Sequence, residues 1–272
     1  MSKVRSIADP GYVHQQYQDA SNLNARIRLH ERFSTNQYGW QRWLFDQLKL
    51  APQSHVLELG CGAGNLWLEN LDRLPAGLEV ISSDLSAGMV AQARRNLSNS
   101  PVAFQFMLID AQSIPFDQHS FDLVIASHML YHVPDRDRAL AEIHRVLKQV
   151  GCFYASTIGC NHLKELRDLV TRFEPQWAAW GSLPADSFTL ENGAAQLGAY
   201  FEHVSLQRYP DALVVTEAGP LVDYILSGRI ELAAGQQEEL ANYVEQALSA
   251  SQGALTITKD SGLFEARGIL PR

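Results

Sequence analysis

Three glycines at alternate positions, Gly60, Gly62 and Gly64, close the apolar run Val56-Leu57-Glu58-Leu59, and a helical pattern opens behind them at Asn65. Glycine at a strand-to-helix turn lets the backbone bend sharply and approach a ligand where a Cβ would collide. Free N–H groups and the helix dipole would then face the crevice at the strand's carboxyl edge. Asp84 ends the next apolar run, 20 residues past Gly64, where a carboxylate can accept both hydroxyls of a ribose. Asp110-Ala111 ends the run after that, where an acidic side chain can take an adenine amino group and the adjacent backbone can bond the ring. These residues outline a nucleoside site.

Glycine spacing narrows the ligand. The dinucleotide pattern G-x-G-x-x-G cradles a pyrophosphate. Here the pattern is Gly-x-Gly-x-Gly, Asn65 stands where the longer one would continue, and neither Ala63 nor Leu66 is glycine. A nicotinamide oxidoreductase is therefore disfavoured.

A second segment with chemistry is Ser127-His128-Met129-Leu130-Tyr131-His132, which follows the fourth strand pattern at the edge where open α/β sheets bind ligands. A neutral His128 could take a proton from a hydroxyl or amine, with Tyr131 and His132 beside it. The alternative is that these rings only shape the loop. His128 and His132 are spaced for one helical face as metal ligands, but the sequence offers no third ligand and no metal is expected.

The elements that must position these groups alternate. Two helical patterns fill residues 21–50, the second with Trp40, Trp43, Leu44, Leu48 and Leu50 as its stripe. Strands are expected at 56–59, 78–83, 102–109, 121–126 and 152–157. Between them lie helices from Asn65 to about Leu74, from the N-cap Ser86 through Leu97, and from Asp135 to Gly151. Such alternation calls for a parallel sheet with helices on both faces. Beyond Thr157 the pattern loosens. Helices near 163–173, 190–200, 218–227 and 235–250 and a strand at 203–208 precede two β-like runs, 254–258 and 263–266, read as a hairpin around Ser261-Gly262.

The bulk numbers fit this reading. The chain has 272 residues, 46% hydrophobic and 19% charged, with a formal net charge of −8, which disfavours a dedicated nucleic-acid binder. Three cysteines make no disulfide framework. No signal-peptide core or membrane-length apolar window occurs, so a cytoplasmic protein is expected.

In family order, the glycine motif, Asp84, Asp110-Ala111, the segment Phe116–Asp122 and Arg145-Val146-Leu147-Lys148 before Gly151 resemble the class I methyltransferases that depend on S-adenosylmethionine (SAM). The branch most similar contains ubiquinone/menaquinone C-methyltransferases and small-molecule methyltransferases, and the resemblance covers roughly residues 50–160. It implies a Rossmann-like, mostly parallel seven-stranded sheet. A helical lid would occupy 1–49, with the SAM domain over 50–272 and an inserted cap near 160–190. It assigns Gly60, Gly62 and Gly64 to the methionine part of SAM, with Cys61 between them among the cofactor residues and Glu58 supporting that loop or holding the ammonium group indirectly. Asp84 would bind the ribose, Met89 would pack on the adenine, Asp110 and Ala111 would read its edge, and Leu85 and Ser127 would border the cofactor. Met89 also sits at core spacing on its helix.

The acceptor would then be a small molecule, with Tyr17, Arg26, His30, Trp177 and Trp180 as lid and acceptor candidates whose aromatic and guanidinium faces suit a planar group. Two other readings stand beside this one. An RNA methyltransferase is disfavoured by charge and by Ser127-His128-Met129-Leu130, where amino-directed nucleic-acid enzymes often carry Asn/Asp-Pro-Pro-Tyr/Phe. A non-catalytic SAM-binding subunit would keep the same cofactor residues.

Overall fold

A computed structural model of the chain describes residues 21–184, 186–228, 230 and 232–270. Four of the five residues in strand β1, His55–Leu59, are buried, as expected of a strand covered on both faces. Two helices precede it, α1 (Ser21–Phe33) and α2 (Trp40–Gln47). After the glycine loop come α3 (Asn65–Leu68), β2 (Glu79–Asp84), α4 (Ala87–Asn96), β3 (Ala103–Leu108), β4 (Phe121–Ser127), α5 (Arg136–Val146) and β5 (Leu147–Ile158). Ser86 caps α4 by accepting from the Met89 amide, and Asp135 caps α5 by accepting from Arg138. The expected helix from Asn65 to Leu74 is cut short. The Asn70 side chain donates to the Leu66 carbonyl at 2.7 Å and to that of Gln41 at 3.2 Å, competing with the helical ladder.

The remaining elements are α6 (Lys164–Phe173), α7 (Gly193–Gly198), β6 (Phe201–Tyr209), β7 (Ala212–Val215), α8 (Ala218–Leu226), α9 (Gln236–Ala250), β8 (Leu255–Thr258) and β9 (Ser261–Ile269). The main sheet has seven strands in the order β3-β2-β1-β4-β5-β9-β6. Its first five are parallel, and β9 runs antiparallel to both β5 and β6. Strand order reverses between β1 and β4, so the switch-point crevice opens where Gly60 leaves β1 and His128 leaves β4.

The hairpin expected from the last two β-like runs does not form. β8 pairs with β7 in a separate two-stranded sheet, while β9 enters the main sheet. Residues 261–264 of β9 are all buried. Its side chains fill both cores of the main sheet, Leu263 on one face and Phe264 and Ala266 on the other, which a separate hairpin would leave in water.

Alternation along the strands splits the core in two. Leu57, Val124, Phe153 and Phe264 face α5 and α7, whereas Val56, Leu123, Tyr154 and Leu263 face α2 and α3. A third cluster lies off the sheet. It joins Leu29 and Phe33 of α1 to Leu166 and Val170 of α6, Trp177, Trp180, Leu213, Leu221, Val244 and Ile257. The segment expected as a cap near 160–190 is thus one part of a larger second core that also takes in α1 and residues 212–258.

Candidate cofactor and acceptor site

Gly60 and Gly62 adopt left-handed φ angles of 72° and 54°, a region costly for residues with a Cβ. A Cβ on Gly60 would lie 2.8 Å from Met129 Cβ, so the loops after β1 and β4 touch there. A Cβ on Gly62 would meet nothing within 4 Å; that glycine faces open space. The loop's amides are less free than its sequence suggests. Cys61 N–H donates to Ser83 O, Gly64 N–H to Cys61 O, and Gly62 N–H to Asp84 Oδ2 at 2.9 Å. The helix that follows has only four residues, so its dipole adds little.

Asp84 is the hinge of this arrangement. Its Oδ1 accepts from Ser86 N–H at 2.9 Å while Oδ2 holds Gly62. Both oxygens keep lone pairs for further donors. Burial pushes its pKa up. Glu58 lies beneath the loop, 2% exposed, with Oε2 accepting from Trp67 Nε1 at 2.7 Å and Ser82 Oγ at 2.9 Å. Burial raises its pKa to about 7. Cys61 is buried and its thiol is pushed up by burial, which makes it inert packing.

Just past the end of β3, Asp110 Oδ1 accepts from the backbone and side-chain amides of Gln112, each at 2.9 Å. Leu85 is 62% exposed, whereas Met89 is 2% exposed and Ala111 4%. Leu85 therefore has surface to lay against a ring, and Met89 is committed to the core. An acceptor carboxylate, an open glycine and an exposed apolar side chain along one sheet edge fit the ribose, methionine and adenine parts of SAM.

Across the crevice, Ser127 Oγ lies 3.0 Å from Ser156 Oγ. The His128 amide donates to Ser156 through both its carbonyl, 3.1 Å, and its hydroxyl, 3.0 Å. These bonds hold His128 at a left-handed φ of 52°, a sparsely populated conformation for histidine. Its ring packs on Trp40 at 4.9 Å between centroids, with Tyr131 at 6.4 Å. Tyr131 and His132 stand 4.6 Å apart. Burial, then the positive charge of Lys259, lowers the His128 pKa to about 4, so the imidazole is neutral near pH 7. The three expected catalytic rings are brought together.

The expected acceptor residues are dispersed. Tyr17 lies outside the described residues. Arg26 ties α1 to the end of α8, its guanidinium donating to Ser227 Oγ at 3.1 Å and Ser227 O at 2.9 Å. Trp177 and Trp180 are buried in the second core, the first against Phe173 and the second donating to Ile225 O. In their place, Trp40 from α2 packs at a tilt against His128 and edge-on against Tyr209. His30, whose ring lies 6.3 Å from that of His162 and 5.7 Å from that of Tyr224, approaches from α1. In sequence Trp40 has the spacing of a core stripe, and His162, Tyr224 and Lys259 carry no signal; only folding gathers them.

No group of three or more His, Cys, Asp or Glu among the described residues is placed to hold a metal ion. No helix among them is long and apolar enough to cross a membrane.

Residues 57–155 match the methyltransferase domain family model. With the switch-point crevice, this match gives residues 57–155 the likeness of a class I, Rossmann-like SAM-dependent methyltransferase domain. Within that class it resembles the ubiquinone/menaquinone branch. Over 111 residues it is 38% identical to the demethylmenaquinone methyltransferase of Lactiplantibacillus plantarum, covering 40% of this chain and 47% of the relative. Over 114 residues it is 34% identical to the ubiquinone/menaquinone biosynthesis C-methyltransferase UbiE of Xanthomonas oryzae, covering 41% and 45%. The chain thus spans just under half the length of these curated relatives.

Solved structures extend the likeness to the whole fold. Haemonchus contortus phosphoethanolamine N-methyltransferase 2, in complex with SAM, aligns with a TM-score of 0.56 at 17% identity, covering 99% of this chain and 61% of that one. The [4+2]-cyclase SpnF aligns at 0.57 and 16%, covering 99% and 100%. At such identities the likeness is one of fold, and one fold hosts more than one chemistry.

Proposed function

We propose that this protein transfers the methyl group of SAM to a small-molecule acceptor at a nitrogen, oxygen or carbon atom. The observation that carries the reading is the Asp84–Gly62 hydrogen bond, which sets a carboxylate and an open glycine on one side of the switch-point crevice, opposite His128. SAM supplies a methyl group on a sulfonium: the acceptor's electron pair forms the new bond as the sulfur–methyl pair returns to sulfur, giving S-adenosylhomocysteine.

The residues have separable tasks. Asp84 would hold the ribose, the 60–64 loop the methionine part, and Leu85, Asp110 and Ala111 the base. A neutral His128 can accept the proton that an N–H or O–H acceptor loses. Trp40 and α1 cover the crevice, which helps alignment and keeps water out. Of the lid expected over residues 1–35 and about 160–190, residues 1–20 lie outside the described residues, and α1 and α6 would serve in the part described.

The test is transfer of label from SAM into fractionated cell extract. Label in the small-molecule fraction is expected. Label confined to RNA would replace the acceptor class, and none in any fraction would favour a non-catalytic SAM-binding subunit. A net charge of −8 and the small-molecule acceptors named for the relatives support the first outcome.

A further inference from the structure

β6 is the last strand of the main sheet, and among the described residues it pairs with β9 alone. It runs nine residues, of which only the ends, Phe201 and Tyr209, are buried and Val204 is half-buried. An open edge presents a row of backbone N–H and C=O groups to any other strand. Proteins blunt such edges by keeping them short or by placing lysine or proline in them. Glu202-His203-Val204-Ser205-Leu206-Gln207-Arg208 contains neither residue, and the strand is longer than the usual five to six or so residues.

Side chains along β6 alternate between the two faces. Val204 lies opposite Ala266 and Leu206 opposite Phe264 of β9, both in the core under α5 and α7. Glu202, Val204, Leu206 and Arg208 therefore share that face, and His203, Ser205 and Gln207 share the other. The order of residues is self-complementary about Ser205. With a second copy laid antiparallel and centred there, Glu202 stands opposite Arg208 and Val204 opposite Leu206, each twice. On the other face His203 meets Gln207, and Ser205 meets itself. Opposite charges and matched apolar side chains are the cross-strand pairs that stabilise antiparallel sheets. Centring on Val204 or Leu206 instead sets Glu202 against Leu206 or Arg208 against Val204, and both ion pairs are lost. Arg208 already meets Asp260 through Nη1, yet its side chain is 54% exposed, and a guanidinium has donors to spare. α7, which packs on β6, turns Ala194, Ala195 and Gly198 outward, so no long side chain there holds a second copy away.

We propose that β6 is a homodimer interface, at which two copies of this chain pair their β6 strands antiparallel about Ser205 and join their seven-stranded sheets into one. The contact is two-fold symmetric, so every substitution in it acts twice. It does not depend on the methyl-transfer reading: β5 and β9 separate β6 from the crevice between β1 and β4.

Sedimentation equilibrium of the full chain over a concentration series, read beside light scattering, is the test. A monomer–dimer equilibrium is expected. Glu202→Arg sets two guanidinium groups against each other, and Leu206→Lys puts an ammonium opposite Val204. Each should weaken the dimer about tenfold or more, and both positions are exposed, so the fold is kept. Arg208→Glu should also be monomeric alone. An equimolar mixture of Glu202→Arg with Arg208→Glu should dimerise again, because only the mixed pair has opposite charges at both contacts. Where Arg208→Glu does not fold, Glu202→Arg and Leu206→Lys decide the matter. A parent that stays monomeric overturns the proposal, and β6 amides protected from hydrogen exchange in that monomer would assign the edge to another segment of the chain. A dimer that neither Glu202→Arg nor Leu206→Lys weakens, or a mixture of two folded variants that stays monomeric, overturns it as well.

Discussion

The rings of Trp40 and His128 lie 4.9 Å apart at an interplanar angle of 50°, joining the N-terminal helices to the loop after the fourth strand. Burial of the ring, then the charge of Lys259, keeps the His128 imidazole neutral near pH 7, because the pKa falls to about 4. Above that pH the ring is a competent proton acceptor. General-base assistance is worth roughly 10²–10⁴-fold. His128→Ala is therefore expected to slow turnover within or below that range while SAM affinity stays nearly intact, measured by steady-state kinetics and calorimetry on one preparation. Turnover that survives removal of His128, Tyr131 and His132 together would place the chemistry elsewhere.

The two loop glycines should fail differently. Gly60→Ala drives a Cβ to 2.8 Å from Met129 Cβ, in addition to a left-handed backbone penalty of about 1–2 kcal/mol, so its main loss is stability. Gly62→Ala carries the backbone penalty alone and adds its methyl to the open side of the loop. Its main loss should be SAM affinity. Urea unfolding set beside cofactor titration separates the two; equal stability losses with unchanged affinity in both would mean that Gly62 does not face the cofactor.

Glu58 gives the fold a pH dependence with a definite sign. Its folded-state pKa of about 7 lies above the ordinary 4.5, so the folded state holds the proton more tightly than the unfolded chain. That contribution is complete below about pH 4.5 and is lost as pH rises through 7, a change on the order of 3 kcal/mol. Glu58→Gln retains an oxygen for Trp67 Nε1 and Ser82 Oγ but cannot ionise. Denaturation midpoints between pH 5 and 8 should fall for the parent and stay flatter for the variant. Parallel profiles would show that Glu58 does not titrate in this range.

The positions of the residues expected at a cofactor were legible in the sequence because their signals are local. Glycines at a strand end, a carboxylate ending the next strand and caps such as Ser86 and Asp135 each need only a few neighbouring residues, and each appears where the spacing put it. Across the crevice the sequence singles out His30 and His128 but not Trp40 or His162, because those neighbours are not local. His30 and His162 are 132 positions apart in the chain and meet only when α1 packs on the second core. Trp177 and Trp180 looked available because they sit in turn-rich sequence, yet the second core encloses them. Periodicity likewise could not tell that β9 would leave β8 for the main sheet, since both runs read as strand and pairing partners lie 50 or more residues away.

The central claim is that Asp84 and the glycine loop make a SAM site, and calorimetry of the purified protein with SAM, S-adenosylhomocysteine and NAD tests it most directly. Micromolar binding of SAM and S-adenosylhomocysteine is expected, with none of NAD. Asp84→Ala should weaken SAM by about ten- to hundredfold, since a charge-assisted hydrogen bond contributes roughly 1.5–3 kcal/mol. Tight NAD binding without SAM binding, or SAM affinity unchanged in Asp84→Ala, would contradict the account.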